Sequence, residues 1–182
     1  MKTCCINKPV LPVLAIVLSC FLLFGVNLGL KNTAIANAQE AHITMLKTLL
    51  PGSEVFTREA YDGEDATIRS VHKGENGFII ETVTYGYAGD ITMMIGVSNE
   101  GTVTGLVVRD LSETYGLGAN ALTDHVFLAQ FLNTSADAEI GSNVDAITGA
   151  TVTSKAITRS VNAAVGYVTG ADTSSGATSW GG

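Results

Sequence analysis

Ile91-Thr-Met-Met-Ile-Gly-Val-Ser-Asn-Glu-Gly-Thr-Val-Thr-Gly-Leu-Val-Val108 reads as two strands folded about a turn. Ile91, Met93, Ile95 and Val97 recur at every second position, the period of a strand with one buried face. Ser98-Asn99-Glu100-Gly101 then breaks the run, Gly101 supplying the positive-φ position of a hairpin, and Thr102–Val108 returns. Upstream, Gly77–Tyr85 carries Phe78, Ile79, Ile80, Val83 and Tyr85 and reads as another strand. Thr67–His72 is a shorter one, and residues 54–60 are short and mixed. Downstream the period lengthens. Leu122, Val126, Phe127 and Phe131 mark a helix over Leu122–Leu132, and Val152, Ala156, Ile157, Val161, Ala164, Val165 and Val168 trace one face of a helix over Val152–Val168. Strands first, with helices around and after them, predict an α+β domain: a mainly antiparallel sheet with flanking helices.

The other end of the chain has a different character. Val10–Leu30 holds 21 residues without a charge, about 30 Å of helix and so the thickness of a bilayer's hydrocarbon core. Lys2 and Lys8 precede the run and Lys31 follows it, which favours a cytoplasmic N-terminus. Ala36-Asn37-Ala38 lies far from the run for a signal-peptidase site. Phe21-Leu22-Leu23-Phe24 after Cys20 prolongs the apolar stretch where a lipidated chain turns polar. An uncleaved anchor over residues 10–30 is expected. A connecting helix over 31–52 follows, capped by Asn32 or Thr33, carrying Ile35, Ala38, His42, Met45, Leu46, Leu49 and Leu50 and stopped by Pro51-Gly52. Residues 53–168 form the domain, and residues 169–182, small and polar, a mobile tail.

Composition narrows the function. Net charge is -7, and only 15% of the 182 residues are charged, against about a quarter in an ordinary domain. All 17 acids follow the apolar run, whereas Lys2 and Lys8 precede it, so the domain has no basic face for nucleic acid and little attraction to anionic lipid. The three cysteines, Cys4, Cys5 and Cys20, fall in the first 20 residues, and His42, His72 and His125 are scattered. Neither a disulfide framework nor a zinc site is expected in the domain.

Two segments do not read as ordinary connectors: Glu113-Thr114-Tyr115-Gly116-Leu117-Gly118, and Asp145-Ala146-Ile147-Thr148-Gly149-Ala150-Thr151, which runs into the last helix. A Thr-Gly-Ala-Thr run at a helix start gathers free N–H groups and hydroxyls at the positive end of the helix dipole. Gly149 admits close approach of another molecule to the backbone, and Lys155 lies one turn beyond Thr151 on the same face. Such a place suits a phosphate group. The alternative is an ordinary N-cap made by Asp145, Thr148 or Thr151.

Asp-x-x-Thr-Gly-Ala-Thr resembles the acceptor at which a flavin transferase joins FMN to the final threonine through a phosphoester. Together with the N-terminal anchor, the alternating hairpin and the Glu-Thr-x-Gly-Leu-Gly loop, it makes the chain resemble, over about residues 10–168, the FMN-binding domain family. Within that family it is similar to the G subunits of Rnf-type electron-transport complexes, which are related to the C subunit of the sodium-translocating NADH:quinone reductase. The resemblance implies covalent FMN on Thr151. It further implies that Thr148, Gly149, Ala150, Thr153, Ser154 and Lys155 surround the phosphate, and that Glu113, Thr114, Gly116, Leu117 and Gly118 lie near the ring. Tyr115 stands where the family has proline. Asp145 is expected to hold the turn or be read by the transferase. Neither a catalytic residue of its own nor a metal is implied.

The partners implied are multi-span and iron–sulfur membrane subunits and the transferase, with the domain outside the cell membrane and ferredoxin/NAD redox coupled to sodium or proton movement. A quinone-reductase subunit, a stand-alone flavinylated extracytosolic reductase, and a membrane-tethered module without flavin remain the alternatives. Asp172–Thr178 repeats the acceptor pattern, leaving Thr178 a second candidate. Tyr85 and Tyr87 read as core or rim residues, Met93 and Met94 as core, and Cys4 and Cys5 as free thiols.

Overall fold

The computed structural model describes residues 10–111, 124–135 and 138–171. The chain divides after Thr44 into two units. The first is the greater part of one long helix, α1 (Val10–Leu49). It does not break at Asn32 or Thr33, where a cap was expected, because nothing there removes a helical hydrogen bond: the next stop is Pro51-Gly52. Val13, Leu14, Ile16, Val17, Leu18 and the run Phe21–Phe24 are all exposed. Side chains in α1 are described for residues 13–25 and 36–49, and among the described residues no helix is long and apolar enough to cross a membrane.

The second unit holds the last turn of α1 and a five-stranded sheet in sequence order: β1 (Thr57–Glu59), β2 (Ile68–Lys73), β3 (Gly77–Tyr85), β4 (Asp90–Ser98) and β5 (Val103–Leu111). Every pairing is antiparallel. The β4–β5 hairpin forms where the alternation places it. Gly101 has φ +81° and donates to the Ser98 carbonyl at 2.9 Å, while the Ser98 hydroxyl accepts from the Thr102 amide at 3.2 Å.

Ile91, Met93, Ile95 and Val97 are fully buried, as their spacing requires, but so is Met94 on the opposite face. Both faces are covered. The first packs against α3 (Thr151–Thr169) through Ile157, Val161, Ala164 and Val165. The second receives the end of α1, with Leu46, Leu49 and Leu50 over Ile79 and Met94. Gly96 and Gly105 leave room there for the Leu49 backbone, and the Thr104 hydroxyl donates to the Leu49 carbonyl at 2.6 Å.

Small residues let α3 lie close on β3, and two sets of contacts fix its direction. Thr84 Oγ1 donates to the Ala156 carbonyl at 3.1 Å and meets Ser160 Oγ at 2.9 Å. At the other end Tyr167 meets Phe78 edge-on, ring centroids 5.7 Å apart. The helix therefore runs antiparallel to β3, and its N-terminus lies at the end of the sheet where β3 turns into β4. Burial first, then the Glu59 carboxylate and Tyr61, raise the Tyr167 phenol above its ordinary pKa.

The helix expected over Leu122–Leu132 is shorter. α2 spans His125–Ala129, begun by Asp124, whose carboxylate accepts from the Phe127 amide at 2.9 Å. The chain leaves through turns that end at Asn133, φ +61°, where the backbone joins the edge of the sheet: Val103 N donates to Thr134 O and Asn133 N to Val103 O, both at 2.9 Å. Helix α3 follows its expected span to within a residue at each end, although Val152 is exposed, not buried. Gly170 ends it at φ +70°.

Candidate functional site

The segment between α2 and α3 carries the acceptor pattern, and three side chains brace it from inside the fold. Asn162 of α3 clasps the Ala138 backbone, Oδ1 accepting from its amide and Nδ2 donating to its carbonyl, each at 2.9 Å. Gln130 does the same to Asp145, accepting from its amide at 2.8 Å and donating to its carbonyl at 3.2 Å. Ser154 Oγ accepts from the Ile147 amide at 3.0 Å and donates to the Ala150 carbonyl at 2.9 Å. A carboxamide that meets a peptide unit with both of its polar groups substitutes for a strand neighbour. The loop is thus held without regular secondary structure.

The start of α3 differs from the ordinary cap weighed above. Gly149, φ +77°, turns the chain so that Ala150 becomes the N-cap, and no side chain caps the helix. Neither Asp145, Thr148 nor Thr151 fills that role, because the cap is set by backbone angles, and the turn at Gly149 places it on Ala150, two residues after Thr148 and one before Thr151. The first-turn amides keep the positive end of the helix dipole open to an anion. Thr148, Gly149, Thr151 and Lys155 are exposed around it, whereas Ala150, Thr153 and Ser154 are buried. The Ser154 hydroxyl is committed to the loop. Among the described residues Lys155 has no ion-pair partner. Asp145 presents its side chain outward, held by its backbone alone.

The loop with Glu113, Thr114, Gly116, Leu117 and Gly118 lies outside the described residues, as do Thr178 with its repeat of the pattern, and Cys4 and Cys5. Sequence reasoning did not find Gln130, since a side chain that bonds to backbone leaves no spacing to read. Of the two places it left open for Tyr85 and Tyr87, core or rim, the core is ruled out, since they stand 67% and 69% exposed. Loss of the clasp is measurable. Gln130→Ala is expected to cost about 1–2 kcal/mol locally, seen as roughly tenfold faster hydrogen exchange at the Asp145 amide.

A phosphate fits this place. The chain offers uncapped amides, a glycine in the left-handed region, two exposed threonine hydroxyls and a cationic side chain within one turn. Comparison with known proteins agrees with that chemistry. Residues 86–166, from the β3–β4 turn into the last turns of α3, match the FMN-binding domain. Over 100 residues the chain is 40% identical to the G subunit of the sodium-translocating ferredoxin:NAD oxidoreductase complex of Acetobacterium woodii, a match covering 49% of this chain and 47% of that one. Over 99 residues it is 38% identical to the G subunit of the proton-translocating ferredoxin:NAD oxidoreductase complex of Clostridium ljungdahlii, covering 50% and 53%. The chain therefore spans about half the length of these two relatives. The match to the G subunit of the ion-translocating oxidoreductase complex of Methanosarcina acetivorans is longer, 34% identity over 137 residues, covering 68% of this chain and 72% of that one. On the breadth of that last match, the chain belongs to the family of G subunits of ion-translocating oxidoreductase complexes.

Proposed function

We propose that this chain is an electron-transfer subunit carrying one FMN, esterified through its phosphate to Thr151 Oγ, in a membrane complex that couples ferredoxin/NAD redox to movement of sodium or protons. The observation that carries the reading is the uncapped, exposed start of α3 with Thr151 as its first residue, inside the span that matches the FMN-binding domain. FMN, when bound, supplies the electron transfer. The polypeptide supplies attachment, orientation and electrostatics.

In this reading Thr151 Oγ would bond to the flavin phosphorus as the phosphoanhydride bond of a flavin dinucleotide donor held by the transferase breaks, the nucleoside monophosphate leaving and the hydroxyl proton passing to a base of the transferase. The first-turn amides and Lys155 balance the phosphate charge, with Thr148 and Gly149 beside it. Ala150, Thr153 and Ser154 hold the loop from within. Asp145 faces outward for the transferase to read. The loop of Glu113, Thr114, Gly116, Leu117 and Gly118 belongs near the ring.

The exposed apolar run of α1 supports a membrane anchor, since a face of this kind is not stable in water. We assign residues 1–9 to the cytoplasm, 10–30 to the membrane, 31–52 to a connecting helix, 53–168 to the FMN-binding domain outside the cell membrane, and 169–182 to the tail. A domain outside the cytoplasm cannot readily recapture a lost cofactor, which favours a covalent link. A single anchor cannot conduct ions, so multi-span and iron–sulfur subunits complete the complex.

The test is purification of the chain, by an affinity tag, from the membranes of a host that makes the whole complex. The expected result is a chain heavier by one FMN, co-purifying with multi-span and iron–sulfur subunits and supporting NAD reduction by reduced ferredoxin. A chain of unmodified mass, purified alone, refutes the reading.

A further inference from the structure

Three positions in the sheet carry an extra residue in one strand: Arg69 in β2, and Thr104 and Arg109 in β5. A bulge of this kind bends its strand and re-aims the side chain it frees. Two of the three have evident targets. Thr104 donates to the Leu49 carbonyl, and Arg109 reaches Glu81 at 3.7 Å and the Met94 sulfur at 3.8 Å. Arg69 is exposed and, among the described residues, takes part in no ion pair or hydrogen bond.

Arg58 of β1 shares that condition. Lys47, Lys73 and Arg109 are in ion pairs, Arg159 is engaged within the chain, and Lys155 stands at the acceptor. Of the lysines and arginines of the second unit, only Arg58 and Arg69 are left, and they line one hollow. Its wall is Arg58, Glu59, Ala60, Tyr61, Arg69 and Ser70, and its volume is about 370 Å³. Glu59, the one acid of the wall, pairs with Lys73 at 3.9 Å. Asp62, Glu64 and Asp65 lie in the connection between the two arginines, yet no described acid pairs with either. Asp65 accepts from the Thr67 amide instead, at 2.8 Å. A hollow with two uncommitted cations attracts an anion from outside the chain.

The wall also says which anion fits. Ser70 is committed to Glu81 at 2.8 Å, so the charged donors are two guanidinium forks, each matched to a carboxylate by two parallel bonds. No helix start adds the backbone amides that a phosphate gathers. The hollow lies beside β1, the edge strand of the sheet, where an extended segment finds backbone groups to pair with. Its position is remote from the acceptor. Tyr61 meets Tyr167 edge-on, ring centroids 5.8 Å apart, and from Tyr167 back to Thr151 α3 runs about 24 Å at 1.5 Å per residue.

We propose that Arg58 and Arg69 hold an acidic segment of a neighbouring subunit in the hollow at the β1–β2 edge. The inference rests on the reading that the chain works inside a complex, and adds the surface by which its domain docks. Docked there, the domain keeps the acceptor end of α3 free for electron exchange.

The experiment purifies the tagged full chain from membranes of a host that makes the whole complex. It compares wild type, the double variant Arg58→Glu/Arg69→Glu and the double variant Arg58→Lys/Arg69→Lys. Wild type and the lysine variant should retain the other subunits. The glutamate variant should lose at least one of them several-fold, with circular dichroism and intact mass matching wild type apart from the substitutions. A water-soluble carbodiimide couples an amine, but not a guanidinium, to a touching carboxylate. In the lysine variant it should therefore join position 58 or 69 to an Asp or Glu of another subunit, found by mass spectrometry of the cross-linked peptides. Full retention by a folded glutamate variant overturns the proposal and leaves the complex standing. So does a lysine variant whose two positions cross-link to this chain's own acids alone, or to none. If the glutamate variant does not fold, the cross-link decides. Inorganic phosphate that raises the melting temperature of wild type, but not of the glutamate variant, at constant ionic strength assigns the hollow to a small anion and overturns it too. A wild type purified without any other subunit overturns both readings.

Discussion

Thr151→Ala chain made alongside a flavin transferase is expected to be colourless and lighter than wild type by one FMN, with its fold intact. Thr151 is the first residue of α3, exposed, and the helix is capped by the Ala150 backbone with no side-chain bond. Removing its hydroxyl takes away the attacking oxygen and no structural contact. The stability change should stay within about 0.5 kcal/mol, as for other exposed substitutions, while attachment falls to zero. Thr148 provides the internal comparison. It is exposed on the same loop, but it precedes Gly149, whose left-handed turn separates it from the helix start, so Thr148→Ala should keep its flavin. Thr178→Ala should keep it as well. Intact mass of the three variants decides the matter. A modified Thr151→Ala chain, or an unmodified Thr178→Ala chain, overturns the assignment to Thr151.

The parts of this fold that were legible in the sequence are those written as a period. Ile91, Met93, Ile95 and Val97 are buried because strand alternation put them on one face, and Ala156, Ile157, Val161, Ala164 and Val165 because helical spacing did. The second layer had no such signature. Met94 reads as core by residue type, but what covers it, Leu46, Leu49 and Leu50, lies more than forty residues earlier, and no local pattern announces a partner that distant. The Asp-x-x-Thr-Gly-Ala-Thr pattern is visible as residue types at a spacing, but the cap of the helix it opens is not. Whether Thr148, Ala150 or Thr151 caps α3 depends on the φ of Gly149, which a sequence permits without dictating. Gln130 and Asn162 were invisible for a related reason. They bond to backbone, and backbone has no letter. Tyr85 and Tyr87 were left between core and rim because an aromatic at a strand end is often covered, and residue type does not say that these two stand exposed.

The second layer also makes a large stability effect predictable. A Cβ on Gly96 would strike the carbonyl oxygen of Leu49 and lie 2.8 Å from Leu49 C and Thr104 Oγ1. These are backbone atoms and a hydroxyl already bonded to that carbonyl, so no flexible side chain can swing away. The end of α1 has to lift. Lifting it uncovers Leu49, Leu50 and Met94, each at most 4% exposed, and a buried side chain of this size contributes about 1.5–3 kcal/mol. Partial exposure together with the clash leads to an expected loss of about 3–5 kcal/mol for Gly96→Val, at the upper end of single substitutions. Gly105→Ala should cost less, since its Cβ would meet Leu49 Cα and O at 3.0 Å, where a shift of a few tenths of an ångström suffices. Urea denaturation followed by circular dichroism in detergent gives the ordering, and a Gly96→Val chain within about 0.5 kcal/mol of wild type would refute the close packing of Leu49 on the sheet. Leu49 and α3 occupy opposite faces of that sheet. On the proposed attachment to Thr151, Gly96→Val should therefore still carry FMN wherever it remains folded, so mass and stability separate the layer of Leu49 from the layer of α3.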